Sequence, residues 1–307
     1  MLVISAKSGQ LGNRLLLFAN FIAFAIDRNL RVLNPAFEEY AEFFESTSKD
    51  ILCSYPAPLV TIKGNKSLRK RYYSLMQYLY KKHYFNNIEI TRDKPFNWSS
   101  SKIVDKIEVK GINLFNGWLF RDGWFVADTD KLRKHADAIR LYFKPLKGYQ
   151  ANVSKLMLEV RDRSDVVIGV HIRHGDYQQH QGGKYFYPLP EYVKVMKSVE
   201  KLFPDKKVRF LICSNAEHDR QLLKDFNYTL GNNHIIEDMY SLAQCDYIIG
   251  PPSSYTMWAS FYGDKPLYTI RDVNKVVEIK DLVYFYEWQG IFHDSEDWSK
   301  SFWEWTH

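Results

Sequence analysis

With 307 residues, of which 46% are hydrophobic, the chain can build two domains with separate cores and is not intrinsically disordered. Its formal net charge of +6 falls short of the bias of a nucleic-acid binder and fits a smaller anionic ligand such as a nucleotide diphosphate. Cys53, Cys213 and Cys245 are odd in number and widely spaced, with neither a disulfide framework nor a zinc spacing, so a reducing, cytoplasmic setting is expected.

In chain order, Leu2–Ala6 predicts a strand. A turn at Ser8-Gly9-Gln10-Leu11-Gly12-Asn13, a helix over about residues 12–28 and a strand at Arg31–Asn34 follow, which is the opening of an α/β unit. The apolar run Leu15–Ile26 imitates a signal peptide, with Ala23-Phe24-Ala25 as a mock cleavage site. Because a strand and a glycine turn precede it, and it is too short to span a bilayer, we read it as the first helix of the fold. With no other membrane-spanning candidate the chain is expected to be soluble, and the sequons at Asn65, Asn97, Asn152 and Asn227 then carry no meaning.

Residues 40–110 have weak periodicity, and only a helix near Leu68–Tyr84 is predicted there. The basic residues Lys63, Lys66, Arg69, Lys70, Arg71, Lys81 and Lys82 are interleaved with tyrosines. They form either a solvated helix face or, from Lys63 to Lys82, a peripheral contact with an anionic membrane or lipid-linked acceptor. A strand at Ile112–Asn116 and a helix over Asp130–Tyr142 close this half, and Pro145, Lys147 and Gly148 make a linker. The expected domains are therefore 1–148 and 149–307.

The second half predicts strand Val166–Ile172, helix Pro190–Leu202, strand Val208–Cys213 and helix Glu217–Phe226. Strand His234–Glu237, helix Met239–Cys245, strand Tyr247–Gly250 and a helix from Ser253 follow. That alternation predicts a doubly wound parallel sheet, whose ligand lies beyond the carboxyl ends of the strands. Chemistry is sought in the loops after Ile172, Cys213, Glu237 and Gly250.

Three constellations stand at such edges. His171-Ile172-Arg173-His174-Gly175-Asp176-Tyr177 offers a guanidinium fork suited to phosphate oxygens, with Asp176 able to brace it. Its bland alternative is a salt-bridged loop. Asp238 to Asp246, strand Tyr247–Gly250 and Pro251-Pro252-Ser253-Ser254-Tyr255 put two hydroxyls at a helix start, as an anion site or as simple N-caps. Gly9-Gln10-Leu11-Gly12-Asn13-Arg14 lets backbone approach a ligand, and Asn13 can donate from its amide. It has the spacing of neither the dinucleotide fingerprint nor a P-loop.

Together these segments resemble the glycosyltransferase superfamily of the bacterial α1,2-, the α1,6- and the protein O-fucosyltransferases. That superfamily carries a G-x-G-N or G-L-G-N loop after its first strand, an H-x-R-x-x-D peptide opening the donor domain, and a later D…(C/A)(D/H)…SS(F/Y) segment. His-Ile-Arg-x-Gly-Asp-Tyr is most similar to the bacterial α1,2 branch, as is Asn116-Gly117-Trp118 followed by Trp124-Phe125 and Ile139-Arg140. The resemblance implies a GT-B-like α/β fold of two Rossmann-like domains facing a cleft, with the acceptor on the N-terminal side. It implies a metal-independent, inverting transfer of L-fucose from GDP-fucose to a glycan hydroxyl, with no further cofactor. Arg173 would clamp the β-phosphate, Ser253 and Ser254 would hold the same phosphates, and Asp238 would pair with the guanine edge, assisted by His171. Asn13 and Gly12 would reach the diphosphate or fucose, and Asp176 would brace Arg173. Glu38, Glu39 and His180 are the candidate bases. Ser253-Ser254-Tyr255-Thr256-Met257-Trp258 departs from the branch's S-S-F-S-W-W, which leaves the acceptor and the exact deoxysugar open.

Rival readings exist. Arg173-His174-Gly175 matches the histidine-phosphatase triplet, and Asp128-Thr129-Asp130 imitates a D-x-D metal site although either Asp can cap the following helix. A catalytically silent sugar- or nucleotide-binding protein would share the same fold.

Overall fold

The computed structural model describes residues 1–90, 104–117 and 129–287. Trp118, Trp124, Phe125 and Asp128, which carry part of the resemblance and the D-x-D reading, lie outside the described residues. The chain forms two compact units, dividing between Leu146 and Lys147.

The first unit opens with β1 (Leu2–Ile4), α1 (Leu11–Arg28) and β2 (Val32–Leu33). β3 (Ser54–Tyr55), α2 (Lys66–Lys81), β4 (Asn86–Ile90) and β5 (Asn113–Gly117) follow, then α3 (Thr129–Lys134) and α4 (Ala136–Tyr142). Its sheet runs β3-β2-β1-β5-β4, parallel except at β3. The apolar run Leu15–Ala25 is the buried body of α1, so its hydrophobicity serves packing. Phe18 meets Phe37, Tyr142 and Phe143 edge-on at 5.4 to 5.7 Å, and Phe21 meets Phe115 at 5.0 Å. Such pairs add specific geometry to the burial of their area. The helix expected over Asp130–Tyr142 is two helices. His135 breaks it with φ −111° and ψ 17°, and its ring reaches Asp27 on α1 at 2.8 Å.

The second unit begins with α5 (Lys147–Arg161), so Lys147 and Gly148 are helical rather than linker. β6 (Val166–Ile172), α6 (Leu189–Glu200), β7 (Val208–Ser214), β8 (Tyr228–Leu230), α7 (Ile235–Leu242), β9 (Tyr247–Gly250), α8 (Ser254–Gly263) and β10 (Leu267–Thr269) follow. All five strands are parallel, in the order β10-β9-β6-β7-β8. Counted from β6 this is 3-2-1-4-5, the doubly wound order, and connections leave β6 and β9 toward opposite sides. β6 is apolar from Val166 to Val170 because both faces are covered, as the central strand of a parallel sheet requires, and His171 is buried with it.

Two expectations fail between β7 and α7. Only a 3-10 turn at Arg220–Leu223 forms where a helix over Glu217–Phe226 was expected, held at its start by Asp219 accepting from the Gln221 N–H. His234–Glu237, expected as a strand, is the start of α7. The His234 Nδ1 accepts from the N–H groups of Ile236 and Glu237 at 3.3 and 3.4 Å, and its ring stacks on Tyr149 at 4.9 Å. The cap overrides the strand preference of two isoleucines. The missing strand starts six residues earlier, at Tyr228–Leu230.

Candidate functional site

The reversal of winding between β6 and β9 leaves an opening at their carboxyl ends, and the first two residue groups of interest are there. Arg173 follows β6, and its Nη2 donates to Asp176 Oδ2 at 2.9 Å. Asp176 is 48% exposed, and a half-exposed pair of this kind contributes only about 0.2 to 1 kcal/mol. Its consequence is therefore orientation more than stability. The guanidinium carbon also lies 5.2 Å from the centre of the Tyr177 ring, which restricts it further.

The loop that carries Arg173 is fixed from several sides. The Tyr192 hydroxyl accepts from the Arg173 N–H at 3.3 Å, and Asn215 Oδ1 accepts from the His174 N–H at 2.9 Å. Gly175 has φ +38°, and a β-carbon there would stand 2.6 Å from the Asn215 amide nitrogen. His174 Nε2 pairs with the Tyr187 carbonyl at 2.8 Å while its ring contacts Phe186 and His218. That imidazole braces the loop, whereas the phosphatase reading needs the ring as a nucleophile.

The β9 edge is joined to this loop by one residue. The Tyr177 hydroxyl donates to the Pro252 carbonyl at 2.8 Å. Ser253 is the N-cap of α8, its Oγ accepting from the Tyr255 N–H at 3.2 Å, and Ser254 is the first helical residue. The capping alternative thus holds for Ser253. The Ser253 side chain is also hydrogen-bonded to the Tyr177 side chain, and the N-terminus of α8 carries the positive end of the helix dipole.

His171 is 4% exposed, with its ring 4.6 Å from that of Tyr255. Burial, helped by the Arg173 charge, pushes its pKa down to about 3, so the imidazole is neutral. Tyr255 in turn donates from its hydroxyl to the Ile235 carbonyl at 2.8 Å, tying α8 to the start of α7.

Asp238 is in the first turns of α7, not in a loop after a strand, and the edge loop is 231–234 behind β8. Its carboxylate accepts from backbone N–H groups of residues 232–234. Burial nevertheless raises it to about 6. Oδ1 is buried and has no hydrogen-bond partner among the described residues, as does Nδ1 of His171. An acceptor and an imidazole nitrogen left unsatisfied in a buried place are costly, and a ligand that hydrogen-bonds to them would offset that cost.

In the first unit, Gly9 has φ +59° and lies against the Asn13 amide, so no larger residue fits. Gly12 and Asn13 are in the first turn of α1. Arg14 is 8% exposed and donates to the Gly9 and Ala36 carbonyls at 3.0 and 3.1 Å, which folds the glycine turn onto the residues after β2. Lys7 binds Glu38 at 2.8 Å and Glu39 at 2.7 Å, and Glu39 also pairs with Arg14 at 2.7 Å. Burial would raise the Glu39 carboxyl, but Lys7 and Arg14 outweigh it and hold the group low. A carboxylate held in this way is a poor proton acceptor.

Tyr177 and Tyr255 stand inside the sequence motifs, whereas Asn215 and Tyr192 lie outside them. Nothing in local spacing marks the last two, since their partners lie 41 and 19 residues away. Among the described residues no group of three or more His, Cys, Asp or Glu side chains is arranged to hold a metal ion.

Residues 146–292 match glycosyl transferase family 11. No curated protein matches the chain. Among solved structures, a GDP-bound mutant of Arabidopsis thaliana FUT1 is 14% identical with a TM-score of 0.54, covering 89% of this chain and 71% of that one. A fucosyltransferase NodZ from Bradyrhizobium is 16% identical with a TM-score of 0.51, covering 90% and 96%. NodZ α-1,6-fucosyltransferase co-crystallised with GDP is 16% identical with a TM-score of 0.50, covering 84% and 91%. At these identities the likeness is one of fold, and it agrees with two GT-B-like Rossmann-type units.

Proposed function

We propose that this glycosyltransferase, whose residues 146–292 match glycosyl transferase family 11, moves L-fucose from GDP-fucose to a hydroxyl of a glycan acceptor, forming an α1,2 linkage. The observation that carries the reading is the placement of Arg173 and the α8 N-terminus at the opening between β6 and β9, joined by the Tyr177–Pro252 hydrogen bond.

The chemistry follows from that placement. Transfer breaks the bond between the sugar's anomeric carbon and the β-phosphate oxygen, and the electron pair leaves with GDP. The growing charge must meet fixed donors. Arg173 supplies a guanidinium oriented by Asp176, and Ser253, Ser254 and the α8 terminus supply hydroxyls and a positive dipole end. Donors of this kind need no divalent cation, and the reaction is read as metal-independent. Asp238 takes the two N–H donors of the guanine edge, with neutral His171 beside it. Gly12 and Asn13, in the first turn of α1, are the first unit's candidate contacts to the donor. The acceptor oxygen attacks the opposite face of the anomeric carbon, which inverts it, and its proton leaves to a base that the held carboxylate of Glu39 does not provide.

Two structurally related proteins were solved with GDP, and this supports a guanine nucleotide as the ligand of the second unit. The test is turnover of GDP-fucose with a panel of glycan acceptors, with EDTA present, following GDP release and the product linkage. Fucosylated product is expected, and Arg173→Ala should lower kcat by about 10² to 10³ while the thermal midpoint without ligand stays in place. GDP binding without product on any acceptor would mark a silent binding protein. Activity abolished by EDTA would return the metal reading.

A further inference from the structure

Between Ile51 and Ile88 the chain has no Asp or Glu and seven Lys or Arg residues. That leaves 35 of the 42 basic residues against 36 acidic ones elsewhere, so this stretch accounts for the whole positive balance. One of the seven, Arg69, is 1% exposed and donates to the carbonyls of Thr47, Ser48 and Asp50 at 2.8 to 3.0 Å, anchoring α2 to its unit. The other six, Lys63, Lys66, Lys70, Arg71, Lys81 and Lys82, are exposed.

Asn65 caps α2, its Oδ1 accepting from the Leu68 N–H at 2.9 Å. From there Leu68, Arg71, Leu75, Tyr78 and Lys82 recur at three- and four-residue steps, which aligns them on one stripe. All five are exposed, Leu68, Leu75 and Tyr78 at 44%, 50% and 51%. A stripe meant for the core would lack the charges, and one meant only for water would lack the leucines. The segment running into the helix exposes Leu59, Val60 and Ile62 at 105%, 83% and 62%. Aliphatic side chains beside exposed cations match the boundary of a bilayer, where apolar groups enter among the chains and Lys or Arg meet lipid phosphates.

We propose that α2 and the 59–62 segment dock this protein on the surface of an anionic lipid bilayer. The occupant follows from charge and chemistry. A second copy would bring an equally basic face against this one and be repelled. A nucleic acid would be served by exposed aromatic platforms but gains little from Leu59, Val60 and Ile62. No described helix is long and apolar enough to cross a membrane, and this contact lies on the surface. The inference stands independently of the sugar and the linkage.

The experiment is co-sedimentation of the full chain with vesicles of phosphatidylcholine alone or mixed with phosphatidylglycerol. Binding to the mixed vesicles alone, released by high salt, is expected. Replacing Lys66, Lys70, Lys81 and Lys82 together with Gln should weaken it at least a hundredfold, at about fivefold per basic residue. Leu59→Asn with Val60→Asn should weaken it about tenfold or more, and this pair decides the matter if the quadruple variant does not fold. Equal binding to both vesicle types, no binding to either, or binding that both variants leave intact would overturn the proposal. So would retention on single-stranded RNA without retention on mixed vesicles, or a concentration-dependent dimer that the lysine substitutions dissolve.

Discussion

Asp238 carries the most informative ionisation in the second unit. Its ordinary value is 3.8, and burial raises it to about 6 despite the backbone N–H groups it accepts from. Between those values the folded chain keeps a proton that the unfolded chain has lost, so stability falls as pH rises through the window. The full difference, reached above pH 6, is roughly 3 kcal/mol. Asp238→Asn should flatten this dependence and raise the thermal midpoint at neutral pH while weakening GDP by about tenfold or more. Thermal scans of both proteins from pH 4 to 7 check it. A wild-type midpoint as flat as the variant's would contradict the buried charge. GDP affinity should rise over the same window, since a carboxylate pairing with two guanine donors must be ionised. At this scale the sequence was readable where a motif and a strand end coincide, as at His171 and Arg173. It was unreadable where a partner comes from far along the chain, as with Asn215 and Tyr192.

Among the elements, the connection from β6 to α8 matters most for the reaction. Tyr177 is a positioning residue: its hydroxyl ties the Arg173 loop to the Pro251-Pro252 turn before the helix. Tyr177→Phe removes that tie, with about 1 kcal/mol lost from stability. Because a misplacement of 1 Å can cost on the order of 10²-fold in rate, kcat should fall about tenfold or more while KM for GDP-fucose changes little. A variant that loses stability but keeps its kcat would reduce Tyr177 to a packing role. Strands β6, β7 and β9 were legible because central parallel strands are largely apolar runs. β8 has only three residues and none is buried, whereas the isoleucines after His234 look strand-like, and a tertiary stack on Tyr149 and a side-chain cap turn them into helix. His135 likewise looked helical, and its contact with Asp27 stops the helix there. Between residues 40 and 110 the helix α2 was legible, and the strands β3 and β4 were hidden because they are short.

For the molecule as a whole, two α/β units each hold a mostly parallel sheet, and the second has the strand order that opens a ligand site beside its first strand. Gly9, Asn13 and Arg14 stand at the corresponding edge of the first unit, beyond β1. The fold class was legible from alternating elements alone, but the nature of the ligand rests on Arg173 standing together with the α8 terminus and Asp238. The most direct test is thermal unfolding of the full chain with GDP, UDP or ADP, each with and without EDTA. At a hundredfold its dissociation constant GDP should add about 2.7 kcal/mol, with EDTA making no difference, and UDP and ADP should add far less. Stabilisation by UDP or ADP but not by GDP, or a GDP effect that EDTA removes, would contradict the account.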